Sequence, residues 1–395
     1  MSKTRIPFLI AAVVIVVLIV ASFVEPFTGS DTVRRLFYGA WWFRILWAAL
    51  AATGTWMTFH WRLWRKPAVM LLHLSFLVIL GGAMTSALFS TEGKLMLYEG
   101  EESAMFLTND QRVAHMDFTL RLDSFRIDRY ADTGEPSGFR SHVTIIDPNS
   151  STAGASVDAS DHATISMNHI LRYRYLRFYQ SSYTPDQRGT ILSVVHDPYG
   201  IGITYTGYAL LLLSAILLLL PRRLKRPGPG AITVGTLAIG SAIVYTSRWT
   251  SADHLLPVLR SPLLGLHIGV IIVAYALFLI MAVISSVQLF RQRPTDKPSF
   301  VRRLLLPAVL FLSVGIFLGA VWANISWGNY WSWDPKEVWA LITMLIYCLP
   351  LHRRSMPWFD SDKNLHIYLI VAFASVLFTY FGVNFILGGM HSYAT

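Results

Sequence analysis

Apolar residues recur along this chain in nine runs, at about 7–24, 41–59, 68–89, 200–220, 231–247, 263–290, 304–323, 335–352 and 366–388. Each approaches the roughly 20 residues an α-helix needs to cross a hydrocarbon core, and the shorter ones lie near the lower limit. Between the third and fourth runs the period changes. Met116, Phe118, Leu120 and Leu122 alternate with Asp117, Thr119, Arg121 and Asp123, the two-residue period of a half-buried strand. Val143, Ile145 and Ile146 follow, then an aromatic-basic stretch at 171–180, read as a packed strand. Turn signals at Thr133-Gly134, Asp147-Pro148-Asn149 and Thr184-Pro185-Asp186 separate these runs. The pattern predicts an all-α polytopic membrane protein of about nine transmembrane helices with one external β-rich domain. The expected division is 1–89 for helices one to three, 90–199 for the β-rich domain, 200–230 for helix four and a linker, and 231–395 for helices five to nine. No sequence repeat relates the two halves.

Charge then sets the orientation. The chain is 54% hydrophobic and 14% charged, with a formal net charge of +10. Its basic residues gather in short loops: Lys3 and Arg5; Arg62, Arg65 and Lys66; Arg222, Arg223, Lys225 and Arg226; Arg291, Arg293, Lys297, Arg302 and Arg303; Arg353, Arg354 and Lys363. On an alternating nine-span path all of these fall on one side, while Arg34, Arg35, Arg248 and Arg260 form a weaker set opposite. Basic loops stay on the cytoplasmic side. The expected setting is therefore a bacterial inner membrane, with the N-terminus cytoplasmic and the β-rich domain and C-terminus outside. Basicity of this kind is a topology signal and does not point to nucleic acid. The opening MSKTRIP and its apolar run look like a signal peptide, but no small-residue cleavage site follows, so an uncleaved first span is expected. The one cysteine, Cys348, lies in an apolar run, and no CxxC or CxxCH motif is present, which excludes a thiol-disulfide carrier and a c-type cytochrome.

Candidate chemistry concentrates in WANISWGNYWSWDPKEVW, Trp322 to Trp339, which holds five of the chain's 13 Trp in 18 residues. An interfacial belt would also use Trp, but belts are scattered and need no Gly, Asn or Asp-Pro punctuation. A flat aromatic shelf for a planar ligand is expected here, with Trp327, Trp331 and Trp333 as its face. Asp334 fits an N-cap, Pro335 the first helical position and Glu337 a capping box, so the shelf sits on a helix N-terminus able to receive an anion.

Histidines in the apolar runs fall at two depths. At 1.5 Å rise per residue, His73 and His352 share an inner level, and His267 and His391 an outer one. Each alone also fits a packed or interfacial imidazole. Two matched pairs beside an aromatic shelf instead point to haem b, since two imidazoles hold a six-coordinate iron; Arg248 or Arg260 could meet a propionate. A proton relay would want Asp or Glu within the spans, which are nearly devoid of them. The histidines of the β-rich segment (His115, His142, His162 and His169) show no ligand spacing, and no catalytic constellation stands out there.

Trp327 through Ile342 (WGNYWSWDPKEVWALI) resembles the WWD signature of haem-handling cytochrome c biogenesis proteins, and the ending Gly382-Val383-Asn384-Phe385 through Gly389-Met390-His391-Ser392-Tyr393 resembles the CcsA branch. The first half, with HLSFLVILGGAMTS from His73, GKLMLYEGE at 93–101, FYQSSY at 178–183 and Val194-Val195-His196-Asp197-Pro198, resembles the ResB/CcsB partner. The whole is similar to a fused CcsB–CcsA System II cytochrome c synthase. That resemblance implies a holocytochrome c synthase that moves haem to the outer face and joins it to the CxxCH thiols of an apocytochrome c, with thiol-reducing proteins as further partners. It implies His73 and His352 as inner ligands and His267 and His391 as outer ones. The stretch TSRWTSADHLLPVLRSP departs from the family pattern, so nothing is carried onto it. Three other classes remain open: a haem transporter without synthase activity, a membrane b-type electron-transfer protein, and a purely structural subunit.

Overall fold

The computed structural model of this chain describes residues 3–130, 134, 136–148, 162–220, 261–291 and 300–387. The N-terminal part runs through α1 (Ile6–Thr28), the short α2 (Ser30–Val33) with a π-helical turn over Arg34–Tyr38, α3 (Trp41–His60) and α4 (Pro67–Phe89). After eight strands come α5 (Gly200–Leu219), α6 (Pro262–Arg291), α7 (Phe300–Trp327), α8 (Pro335–Cys348) and α9 (Asp362–Leu377), which continues as a π-helix over Phe378–Leu387. Among the described residues six helices are long and apolar enough to cross a membrane: Lys3–Thr28, Pro67–Phe89, Gly200–Leu219, Pro262–Phe290, Phe300–Trp327 and Asp362–Leu387. The expected nine is met only in part. The run at 41–59 is helical but diluted by Arg44, Thr53, Gly54 and Thr55. The run at 335–352 is an α-helix of 14 residues that tightens into a 3-10 turn, Leu349–His352. The run at 231–247 lies outside the described residues.

The strands are β1 (Thr91–Tyr98), β2 (Glu102–Thr108), β3 (Val113–Arg129), β4 (Pro136–Ile146), β5 (His162–Ser166), β6 (Leu171–Tyr173), β7 (Leu176–Tyr183) and β8 (Gly189–His196). They form one antiparallel sheet ordered β5-β4-β3-β2-β1-β8-β7-β6. The predicted alternation is realised: Met116, Phe118, Leu120 and Leu122 face a core that also takes Leu97, Val143, Phe178, Leu192 and Val194. The sheet curls, because Ser141 on β4 reaches Gln180 on β7 (2.7 Å) and Thr190 on β8 (2.9 Å). A curled sheet buries one face without a second layer.

Two devices hold this domain on its helical stalks, α4 and α5. Asp197 accepts the Ser86 hydroxyl at 2.6 Å and the Gly200 backbone N–H at 2.7 Å, tying the end of α4 to the start of α5. Gly207 lets the two helices close, since a Cβ there would lie 2.6 Å from Ile79. Small residues are the usual means of close helix approach where lipid offers no hydrophobic drive. The two halves of the chain interlock. Val14, Ile15 and Leu18 of α1 share a core with Val338, Trp339 and Ile342 of α8. The Trp339 indole N–H donates to the Ser22 hydroxyl at 3.1 Å.

Candidate functional site

The structure brings the inner histidines together. His73 lies on the second turn of α4 and His352 on the 3-10 turn that ends α8. Their ring centroids are 6.1 Å apart with planes at 87°, and Phe8 of α1 packs on His352 at 5.2 Å. Each imidazole is oriented by its own helix: His73 Nδ1 donates to the Val69 carbonyl (2.8 Å) and His352 Nδ1 to the Cys348 carbonyl (2.9 Å). A carbonyl oxygen only accepts, so Nδ1 carries the proton and Nε2 keeps its lone pair in the neutral ring. That is the tautomer a metal needs, fixed by the hydrogen bond at the other nitrogen. Two imidazoles sharing one iron stand about 6 Å apart, centre to centre, at the usual metal–nitrogen bond near 2 Å. The donor set therefore suits a bis-imidazole iron.

The Trp-rich segment is packed rather than flat. Asp334 is buried and caps α8: its Oδ1 accepts the Lys336 N–H at 3.0 Å. Glu337 Oε2 reaches back to the N–H groups of Ser332 (2.8 Å) and Asp334 (3.3 Å) and to the Ser332 hydroxyl (3.1 Å). This capping box sets the turn, and Trp333 takes a left-handed conformation, φ 62°. Trp333 then stacks on Tyr38 from the N-terminal part, with centroids 4.6 Å apart and planes at 7°. Trp331 meets Trp333 at 85° and Trp327 meets Trp322 at 70°. The expected common plane is not what forms, because the negative faces of π-systems draw the positive edges of their neighbours. Trp322 and Trp339 are buried in the helix packing, whereas Trp327, Trp331 and Trp333 remain partly exposed.

His267 lies on α6 against α7. Its Nδ1 donates to the Gly315 carbonyl at 2.7 Å, and a Cβ on Gly319 would come within 2.7 Å of its ring. Gly319 thus makes the room in which the imidazole sits, while Gly315 admits Ile271 and Val270 beside it. The neighbouring Leu263, Leu264 and Ile268 pack on Trp322 and Trp327, which links His267 to the aromatic segment. His391, its expected partner, lies outside the described residues, as do Arg248 and Arg260.

The ResB-like family matches residues 61–205, and the cytochrome C assembly protein family matches residues 203–391. The chain joins a ResB-like part to a cytochrome C assembly part. The two meet inside α5, so the β-domain belongs to the ResB-like part and the Trp-rich segment to the assembly part. Protein NrfI of Wolinella succinogenes is 42% identical over 153 residues, 36% of this chain and 17% of that protein. Cytochrome c biogenesis protein CcsA of Chlamydomonas reinhardtii is 40% identical over 154 residues, 36% of this chain and 43% of the relative. CcsA of Synechococcus sp. (strain CC9605) is 35% identical over 200 residues, 40% of this chain and 64% of the relative. The chain thus spans less than two thirds of the length of these relatives.

Sequence reasoning missed contributors that come from far along the chain. Tyr38, under Trp333, sits in a π-helical turn with no periodic signal. Tyr179 of β7 covers Gly328, where a Cβ would lie 2.8 Å from its ring, and the Ser326 hydroxyl donates to Asn168 at 2.6 Å. The ResB-like sheet therefore sits directly on the Trp-rich segment of the assembly part.

Proposed function

We propose that this protein binds haem for c-type cytochrome biogenesis, carries it to the extracytoplasmic face and attaches it to the CxxCH thiols of an apocytochrome c. The observation that carries this reading is the His73–His352 pair, two imidazoles from different helices at bis-ligation distance, each with its proton held on Nδ1. The matches to the ResB-like and cytochrome C assembly protein families support the same reading. The basic loops support an inner-membrane protein with a cytoplasmic N-terminus and with the β-domain and Trp-rich segment outside.

In this scheme His73 and His352 ligate haem at the inner level, and His267 with His391 ligate it at the outer level. Trp327, Trp331 and Trp333 bound the macrocycle, and the α8 N-terminus capped by Asp334 closes its edge. Each thioether forms by addition of a thiol S–H across a haem vinyl group, so nothing leaves and no protein nucleophile is required. The protein's part is position and control of iron ligation. The histidine of the CxxCH motif then displaces one outer imidazole.

Absorption spectra of the detergent-purified protein test the reading, wild type beside His267→Ala/His391→Ala. A reduced low-spin spectrum that diminishes or shifts in the double variant is expected, together with loss of maturation of a co-expressed cytochrome. A transporter without synthase activity would lose haem in the variant yet show no dependence on the CxxCH partner. Normal maturation in the double variant would sink the proposal.

A further inference from the structure

The sheet face that meets the Trp-rich segment carries a feature that iron ligation does not use. Arg172 and Arg177 are register partners across β6 and β7, so their side chains leave the same face. Like charges directly opposite one another destabilise a sheet. Among the described residues neither guanidinium has a carboxylate within ion-pair distance. Leu176 and Phe178 face the sheet core, which turns Arg177 and Tyr179 to the other side, toward Gly328.

On that side Arg172 is exposed and Arg177 half-buried, while the packing closes over Tyr179. Tyr179 is 0% exposed. Tyr330, on the Trp-rich segment, has its ring edge against Tyr205 (5.9 Å) and Tyr208 (6.2 Å) of α5. Its hydroxyl is buried and makes no hydrogen bond among the described residues. A buried hydroxyl without a partner is destabilising. Burial holds both phenols above their ordinary range, and Arg177 pulls each back the other way, with Arg172 adding to the pull on Tyr179. Asp197 adds to the rise at Tyr330, and its oxygens already accept from Ser86 and Gly200. Two guanidiniums and two phenols make a set rich in donors, with no carboxylate ion-paired to either guanidinium among the described residues. Arginine's planar fork matches a carboxylate in particular.

We propose that Arg172, Arg177, Tyr179 and Tyr330 form an anion site at the seam between the ResB-like sheet and the Trp-rich segment, and that it takes the carboxylate edge of haem. The inference rests on the haem reading above and adds a role for the β-domain: the ResB-like part supplies the propionate clamp, the assembly part the aromatic walls. Anionic lipid headgroups share this chemistry, because the seam lies at the end of α5.

The test titrates the full-length protein in phosphatidylcholine nanodiscs with haem and with haem dimethyl ester, whose propionates carry no charge. Wild type is expected to hold haem at least about tenfold more tightly than the ester. Arg172→Gln/Arg177→Gln should abolish that preference. Tyr330→Phe, which keeps the ring packing, should reduce it in a protein at least as thermally stable as wild type. Equal affinity for haem and ester in wild type overturns this inference and leaves the haem reading standing. No uptake of either ligand overturns both. A preference untouched by the arginine substitutions, in a protein whose binding of phosphatidylglycerol falls with them, assigns the arginines to lipid and overturns the inference.

Discussion

The imidazoles of His73 and His352 stand 6.1 Å apart at 87°, although one belongs to the second turn of α4 and the other to the last turn after α8. Neither helix could position both. His73→Ala and His352→Ala should each weaken haem binding at the inner level by about tenfold or more, the scale on which perturbed ligation costs affinity, and so lower the haem content of the purified protein. A pyridine haemochrome assay reads it directly. His352 closes the 3-10 turn after α8 rather than lying inside the helix, so its removal should leave thermal stability within about 1 kcal/mol of wild type. Full haem content in both variants would remove the pair as ligands.

The Trp-rich segment owes its shape to one carboxylate. Glu337 Oε2 accepts from Ser332 N, Ser332 Oγ and Asp334 N, while Asp334 caps the same helix from the other side. Glu337→Ala leaves those donors without their acceptor, and Asp334→Ala removes the cap. Each should destabilise the protein by about 1–2 kcal/mol. The larger effect should be on Trp333, whose left-handed backbone (φ 62°) is held by this turn. Loss of the Tyr38–Trp333 stack should appear as a change in tryptophan fluorescence at temperatures below unfolding.

Glu92 gives the β-domain a pH dependence. It sits at the start of β1, where burial raises its carboxyl above the ordinary 4.5, with Arg34 opposing and Asp197 adding to the rise. Asn109 Nδ2 approaches it at 3.4 Å. Between 4.5 and the raised value the folded chain keeps a proton that the unfolded chain has lost, so stability falls as pH rises through that window. Above it the cost is fully present. Glu92→Gln should match wild type in acid and exceed it in melting temperature near neutral pH. Parallel melting curves for the two proteins across that range would contradict this assignment.

What the sequence disclosed followed from periods that translate directly into distance. The two-residue alternation of Met116, Phe118, Leu120 and Leu122 located the sheet core, and helix rise located His73 and His352 at one depth. Lateral neighbours have no such signature. Tyr38 under Trp333, and Tyr179 over Gly328, depend on how the π-helical turn after α2 and the sheet dock against the segment between α7 and α8. The stretch at 171–180 reads as one strand because nothing in it signals a turn. It divides into β6 and β7 at Arg174, which takes φ 50° with no Gly or Asn to announce it. Edge-to-face packing likewise tilted the expected aromatic plane, a preference of ring pairs that composition does not register.

Gly319 offers the sharpest separation of the outer site from the inner one. It lies on α7 facing His267, and a Cβ there would stand 2.7 Å from the imidazole Cε1 and 2.8 Å from Nδ1. The ring is the mobile partner in that clash, so Gly319→Ala should move the imidazole rather than unfold the helix. Moving it breaks the 2.7 Å bond from Nδ1 to the Gly315 carbonyl, which fixes the tautomer with Nε2 as the acceptor nitrogen. The expected variant is folded, keeps haem at the His73–His352 level, and loses about tenfold or more in cytochrome maturation. Gly319→Ser should behave alike, because the first side-chain atom is the one that collides. Spectra of both variants, recorded beside His73→Ala, should show complementary losses. Wild-type maturation in Gly319→Ala would mean that the orientation of His267 does not matter to the outer site.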